Sequence, residues 1–192
     1  MTAAALLALM LGVALLARPQ GPSVAQLERA IVGMLASERG FSRDPALVAE
    51  IARAIHAAAT VEGLDPALLL ASGWTESRFN PAAVSSIGAL GIWQQLPQYG
   101  QRYADRCWDD TTHAPRCSWA EVAALPPDAE LYTRDVAHAA RIAARHFGYL
   151  FRRYGDAAIC HYAAGGRGAD CAAGAEYRDK INDRMVWARS LY

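Results

Sequence analysis

A single carboxylate stands where an apolar helix is about to end. Glu76 lies in the segment WTESRFNP, directly after DPALLLASG, which is apolar on every side. The helix must stop near Asn80, because Pro81 disfavours helical geometry in the residue before it. Apolar surroundings and the partial negative charge of a helix C-terminus both disfavour an ionised carboxylate, so both raise its pKa. We therefore predict that Glu76 is a general acid; the alternative is a solvated residue in a last helical turn.

The segment that follows Glu76 has the composition of a carbohydrate site. Ser85, Gly88 and Gly91 permit tight backbone turns, and Trp93 and Gln94 come next. An amide beside an aromatic ring, close to an acid, is suited to holding a sugar. This combination raises the probability that Glu76 is catalytic.

Two stretches of the chain carry a family resemblance. The segment ESRFNPAAVSSIGALGIWQ resembles the soluble lytic transglycosylase family, with its Glu-Ser pair, Pro, Ser, Gly-Ala-x-Gly and final Gln. Downstream, AICHYAAGG is similar to the family's Ala-Ala-Tyr-Asn-Ala-Gly segment. A helix ending in RRYGD precedes that segment and an EYRDKIN helix follows it. The resemblance covers residues 45–97 and 128–190.

The resemblance implies a lysozyme-like fold and a reaction on peptidoglycan glycan strands. Glu76 would be the catalytic acid and then the base, in cleavage of the β-1,4 bond between N-acetylmuramic acid and N-acetylglucosamine, with formation of a 1,6-anhydro ring. The acetamido group of the substrate would assist, so neither a second carboxylate, a metal nor a cofactor is required. Ser77 is the motif partner of Glu76, Trp93 and Gln94 are cleft residues, and Tyr162 is placed to hydrogen-bond the acid or the sugar.

Several residues depart from the family pattern. Ala163 stands where the family has Asn after the tyrosine, and Trp93 stands where it has Met. Gln95 occupies a position that is usually apolar, and Asp135 one that is often Asn. The loop between Cys107 and Cys117 is longer than the family's continuation. These departures predict a divergent member with an altered cleft.

Two other functions fit part of the pattern. A hydrolytic muramidase would need a second carboxylate, for which Asp105, Asp109 and Asp110 are the candidates, although turn-forming loop residues are the simpler interpretation. A catalytically silent wall-binding or secretion-scaffold protein would keep the fold without turnover. The loss of Asn at Ala163 favours that alternative, whereas retention of Glu76 disfavours it.

The helices that must position these residues can be read from caps and periodicity. Residues 24–60 are predicted to be helical, with a first helix ending at Gly40 and a second running from Asp44-Pro45 to Gly63. Asp65-Pro66 opens a third helix, which is apolar on all sides and is therefore predicted to be central. The helical periodicity then ends, and residues 80–127 are predicted to be mostly loops that form a cleft wall.

Three more helices are predicted in the last third of the chain. A long one runs from Asp128 to Tyr154, with an apolar stripe and an opposite face that carries Arg141, Arg145 and Arg152, which we interpret as solvated. A shorter one ends at Ala164, and a last one closes the chain. We find no repeat and no linker. The prediction is a single, mainly α domain with a loop-rich cleft wall.

Charge and cysteine usage limit the partners and the compartment. Lys plus Arg and Asp plus Glu both number 19, so nothing indicates a nucleic-acid partner. Cys107, Cys117, Cys160 and Cys171 allow three pairings, of which the two local ones are the most economical. Zinc is disfavoured, because neither pair is as close as the Cys-x2-Cys pairs of zinc sites. Two disulfides in an oxidising compartment are predicted.

The N-terminus predicts export. Residues 3–17 form an unbroken apolar run, shorter than the ~20 residues of a spanning helix and suited to a secretory core of roughly 7–15 residues. Residues 1–25 are thus predicted to be a signal peptide or a short membrane anchor, and residues 26–192 the catalytic domain. Basic residues are missing before the run, so either the true start lies upstream or the segment is an atypical signal or a short anchor. A cytosolic protein with a buried N-terminal helix is the alternative. We expect an exported monomer in the periplasm or cell envelope.

Overall fold

A computed structural model describes residues 21–126, 135–165 and 171–192 of the chain. Within them, helices alternate with a loop region that contains a two-stranded antiparallel hairpin. The helices are α1 (Val24–Ala36), α2 (Pro45–Glu62), α3 (Pro66–Ser77), α4 (Pro97–Tyr103), α5 (Trp119–Ala123), α6 (Val136–Tyr154), α7 (Ala158–Ala164) and α8 (Ala175–Arg189), and the strands are β1 (Trp108–Asp109) and β2 (Ala114–Pro115). The prediction of a mainly α fold is confirmed.

The helix boundaries follow from capping side chains. The Asp44 and Asp65 carboxylates accept the backbone N–H groups of the second residues of α2 and α3, and a proline occupies the first helical position of each. Gly63 ends α2 with φ of 66°, a left-handed conformation that glycine adopts without strain. The first helix differs from its prediction: α1 ends at Ala36, and Gly40 lies in the turn that follows.

The helix α3 is central, as its composition predicts. Every residue from Ala67 to Trp74 is buried, and α3 contacts α2, α6 and α8. The other large packing surfaces join α1 to α2 and α2 to α6. One continuous hydrophobic cluster runs through these five helices. The carboxyl end of α3 therefore emerges from the middle of the core.

The long helix α6 differs from its prediction in two ways. It begins at Val136 with the Asp135 carboxylate as its cap; the predicted start at Asp128 lies outside the described residues. Its arginine face is not uniformly solvated. The Arg145 side chain is only 6% exposed, and its guanidinium pairs with Asp105 at 2.6 Å and Asp110 at 3.0 Å.

Both disulfides are the local ones that the cysteine spacing favoured. Cys107–Cys117 closes the hairpin of β1 and β2, and Cys160–Cys171 ties α7 to the segment before α8. Gly174 fits against this second disulfide, because a Cβ there would lie 2.6 Å from the Cys160 Cα and carbonyl oxygen. The close approach fixes where α8 begins.

The predicted N-terminal segment lies largely outside the described residues. Residues 1–20 are not described, whereas Ser23, Val24 and Ala25 form the cap and first turn of α1. No helix within the described ranges is both long enough and apolar enough to cross a membrane.

Candidate active site

Glu76 lies in the last turn of α3 and faces a cavity of about 560 Å³. The other walls of the cavity come from the loop after α3, from α6 and from α7. It is lined by Glu76, Ser85, Ser86, Ile87, Ala89, Gln94, Gln95, Leu96, Tyr99, His146, His161, Tyr162, Ala163, Ala164 and Gly165. Among these lining residues, Glu76 is the one with an acidic side chain.

The chain reverses sharply just after Glu76. Arg78 and Phe79 both adopt positive φ, 55° and 58°, and their N–H groups bond to the Trp74 and Gly73 carbonyls. These bonds satisfy carbonyls at the helix end that would otherwise lack partners. Gly73 makes room for the turn, since a Cβ there would lie 3.1 Å from the Phe79 ring. The carboxylate is thereby held at a defined helix terminus.

The electrostatics of Glu76 favour the protonated form. Burial raises the pKa of its carboxyl above the ordinary value, and this effect outweighs two opposing ones. The Tyr177 hydroxyl donates a 2.6 Å hydrogen bond to Glu76 Oε1, and the Arg184 guanidinium is close enough to favour the charged form. Burial acts in the direction that we derived from the sequence. The effects of Tyr177 and Arg184 were not predicted from the sequence.

Tyr177 is a site residue that the sequence reasoning missed. It projects from the first turn of α8, and its own pKa is raised well above the ordinary value by burial. The only signal was the EYRDKIN segment, which we treated as a closing helix. Its position depends on the tight packing of Gly174 on Cys160, a contact between residues far from Glu76 in sequence.

Tyr162 occupies the cavity wall but does not hydrogen-bond Glu76. Its hydroxyl donates to the Trp93 carbonyl at 2.9 Å and accepts from the Gln95 side-chain amide. Its ring stacks on Phe147, with ring centres 4.0 Å apart. The expected bond to the acid is made by Tyr177 instead, and the two tyrosine rings stack at 6.2 Å.

Trp93 does not form the exposed aromatic surface that we expected. It is 1% exposed, and its indole Nε1 donates to the Leu69 carbonyl of α3 at 3.0 Å. An indole in this position packs within the core, so sugar stacking on its ring is excluded in this geometry. The residue instead anchors the loop after α3 to the helix that carries Glu76.

Ser77 has a structural role, whereas Gln94 lines the cavity. The Ser77 hydroxyl donates to the Ile92 carbonyl at 2.9 Å and accepts from the Asn80 N–H, and Ser77 is not among the residues that line the cavity. Gln94 does line the cavity, with φ of 45° and a side-chain amide that donates to the Gly91 carbonyl at 2.9 Å. The serine pins the loop, whereas the glutamine shapes the cleft.

The three loop aspartates that are candidates for the second carboxylate of a hydrolase lie outside this cavity. Asp105 and Asp110 pair with Arg145, as described above, and ion pairing lowers the pKa of Asp105. Asp109 accepts the backbone N–H groups of Thr111 and Thr112. The turn-forming interpretation therefore fits Asp109, while the other two brace the hairpin against α6.

Comparison with known proteins bears on this site. The family model described as Transglycosylase SLT domain matches residues 53–185, which include Glu76 and Tyr177. A search of curated proteins gave no match. Members of the matched family are peptidoglycan lytic transglycosylases, lyases that act on a polysaccharide of the cell wall. The chain belongs to the Transglycosylase SLT domain family, which indicates lytic transglycosylase activity on peptidoglycan.

Proposed function

We propose that this enzyme cleaves the β-1,4 bond between N-acetylmuramic acid and N-acetylglucosamine and leaves a 1,6-anhydromuramoyl end. The observation that carries the proposal is a half-buried Glu76 with a raised pKa, facing a cavity that has no other acidic side chain among its described lining residues. The single acid fits a reaction in which the substrate supplies the second catalytic group.

The first step uses the protonated form of Glu76. Its carboxyl transfers a proton to the glycosidic oxygen as the bond between that oxygen and the muramoyl C1 breaks. The acetamido oxygen of the same sugar bonds to C1, which gives a cyclic oxazolinium ion and a free N-acetylglucosamine hydroxyl. The carboxylate that remains on Glu76 faces the cation.

The second step returns the proton. The Glu76 carboxylate takes the proton of the muramoyl C6 hydroxyl while O6 bonds to C1 and the oxazolinium ring opens to regenerate the acetamido group. Water is neither consumed nor released. The Tyr177 hydroxyl and Arg184 favour the ionised carboxylate, so they assist the enzyme between the two steps without abolishing the raised pKa.

The other residues of the predicted site have roles that follow from their positions. Gln94 and Ser85 are two of the polar side chains of the loop wall, and we expect them to contact sugar hydroxyls. Ser77 and Trp93 hold the loop after α3 against that helix. Tyr162 stacks on the ring of Tyr177. Ala163 lines the cavity, so its methyl group stands in the wall where the family's asparagine would present an amide.

We also propose that residues 26–192 form a monomeric catalytic domain that works outside the cytoplasm, in the periplasm or cell envelope. Proteins with this domain act on the cell wall, and two disulfides fit an oxidising compartment. Residues 1–25 would serve as a signal peptide or a short anchor. Recovery of the mature N-terminus from exported protein, by mass spectrometry, tests this division.

The decisive experiment is product analysis of purified peptidoglycan digested in water enriched in ¹⁸O. The proposal requires that the wild-type enzyme release muropeptides with 1,6-anhydro ends that contain no ¹⁸O. The Glu76→Gln variant should release no muropeptides. Reducing ends that carry ¹⁸O would establish a hydrolytic muramidase instead. Wall binding by both proteins, with equal and negligible turnover, would establish the silent scaffold.

A further inference from the structure

A second cavity, of about 470 Å³, opens beside the cavity of Glu76. The two share Tyr99, His146, His161 and Gly165, so a substrate lying in one places its substituents at the edge of the other. The second cavity is lined by Tyr99, Arg102, Tyr103, Trp119, His146, Tyr149, Leu150, Arg153, Tyr154, His161 and Gly165. The lining is aromatic and basic.

The charge of this cavity is one-sided. Arg102 and Arg153 line it, and no aspartate or glutamate is among its described lining residues. His146, in the wall that both cavities share, adds no charge near neutral pH, because burial lowers its pKa to about 3. An anionic group that enters the second cavity therefore meets two guanidinium groups, with no acidic side chain competing from the part of the lining that the structure describes.

Both guanidinium groups are held in place by aromatic rings. Arg102 lies 4.3 Å from the centre of the Trp119 ring, and its Nη1 donates to the Cys117 carbonyl at 2.6 Å. Arg153 lies over the Tyr154 ring, and its Nε donates to the Tyr154 hydroxyl. Their other N–H groups have no hydrogen-bonding partner among the described residues. Such pre-oriented guanidinium groups are suited to binding carboxylates.

We propose that the second cavity binds the carboxylates of the peptide stem carried by the glycan strand, so that the enzyme prefers peptide-bearing strands to stripped ones. The inference rests on the proposed function, because it takes the substrate to be peptidoglycan. The sugars themselves are neutral, and the lactyl carboxyl of the muramoyl residue loses its charge in the amide bond to the peptide, whereas that peptide carries several carboxylates. Charge complementarity therefore selects the stem as the occupant.

Binding to the inactive Glu76→Gln protein tests the proposal without turnover. The ligands are soluble strands with intact peptide stems, the same strands stripped by an amidase and then capped as amides at the lactyl carboxyl that stripping exposes, and strands whose stem carboxylates are capped as amides. In this background, Arg102→Gln with Arg153→Gln should weaken binding of peptide-bearing strands about tenfold. It should bring the affinity ratio of peptide-bearing to stripped strands close to one, and capped strands should behave like stripped ones. The preference should also shrink at high salt.

The matched control is Arg29→Gln with Arg53→Gln, which removes the same charge from exposed positions on α1 and α2 that line neither cavity. It should leave the ratio unchanged. Because Arg102 also braces the hairpin, Arg153→Gln alone provides a variant at an exposed residue, with its folding checked by circular dichroism. An affinity ratio of one in the parent Glu76→Gln protein, or equal loss in the control, would overturn the proposal. Products from the wild-type enzyme test the proposed function separately, since a hydrolase could show the same preference.

Discussion

Replacing Tyr177 by phenylalanine tests the electrostatics of Glu76 most directly. The substitution removes a 2.6 Å hydrogen bond to the carboxylate and keeps the ring that stacks on Tyr162. Hydrogen bonds to charged groups contribute about 1.5–3 kcal/mol, and the cleft is open to water, so the lower end applies. Loss of that energy in the Tyr177→Phe variant should decrease the acid dissociation constant of Glu76 about tenfold.

The expected change in the pH profile follows from the direction of each effect. Glu76 must be protonated to act as an acid, so kcat/KM falls as pH rises through its pKa, which burial has placed above the ordinary value. Tyr177 favours the charged form, so its loss raises the pKa further and moves the alkaline limb to higher pH. Arg184→Gln removes the other group that favours ionisation and should move the limb the same way.

The assay is release of soluble fragments from purified peptidoglycan over a series of pH values, with the carboxyl ¹³C signal of Glu76 as an independent titration. Tyr192→Phe is the matched control, because that ring lies near Asp65 and Arg189, away from the cavity. Tyr162→Phe should lower kcat/KM without moving the limb. An alkaline limb that stays in place or moves to lower pH in Tyr177→Phe would refute the reasoning.

Three further predictions concern stability, each measured by urea denaturation. Ser77→Ala should lower the free energy of unfolding by about 1–2 kcal/mol, because it removes two hydrogen bonds between the end of α3 and the following loop; no change would mean that the loop is held elsewhere. Replacing Cys107 and Cys117 by serine opens a loop with a sequence separation of 10 and should cost about 3 kcal/mol, whereas an unchanged midpoint would contradict the chain-entropy argument. Arg152→Ala should cost about 2–3 kcal/mol, since it strips a partner from Glu62, whose side chain is 2% exposed; a stabilised variant would show that the pair is dispensable.

The parts of the fold that local chemistry controls could be predicted from sequence. Asp-Pro pairs marked the starts of α2 and α3 because a carboxylate caps a helix whose first residue lacks an N–H. The central place of α3 followed from its lack of a polar face. Glu76 could be found because both effects on its pKa, burial and the helix end, act within one segment. The disulfides followed because each closes a short loop.

What depends on distant packing could not be predicted. Tyr177 reaches Glu76 across a separation of 101 residues, and nothing in its own helix distinguishes it from a surface tyrosine. Trp93 appeared to be a sugar platform because its neighbours are cleft residues, yet its ring turns into the core to meet Leu69. Arg145 appeared solvated because its partners, Asp105 and Asp110, lie 40 and 35 residues away in sequence, in the segment around the Cys107–Cys117 disulfide. Side-chain direction at such points is a property of the assembled core.

Gln95, one of the departures from the family pattern, belongs to a chain of buried hydrogen bonds. Its side-chain amide donates to the Tyr162 hydroxyl, which in turn donates to the Trp93 carbonyl. Its amide oxygen faces His146 Nδ1 at 3.3 Å. Burial lowers the pKa of His146 to about 3, so the ring is neutral. A bond to the Gln95 amide oxygen, which can only accept, requires the ring hydrogen on Nδ1. A polar residue at a usually apolar position is thus matched by a buried histidine.

This coupling predicts a non-additive double-mutant cycle. Gln95→Leu alone leaves His146 Nδ1 buried without an acceptor and should lower the free energy of unfolding by about 1–3 kcal/mol. Adding His146→Phe removes the stranded group and keeps a ring between Tyr99 and Tyr103, so the double variant should lose less than the sum of the single losses. His146→Phe with Ser118→Ala, which lies outside this chain of bonds, is the additive control. If the Gln95 and His146 losses simply add, the two side chains do not interact measurably, and their bond does not stabilise the cleft wall.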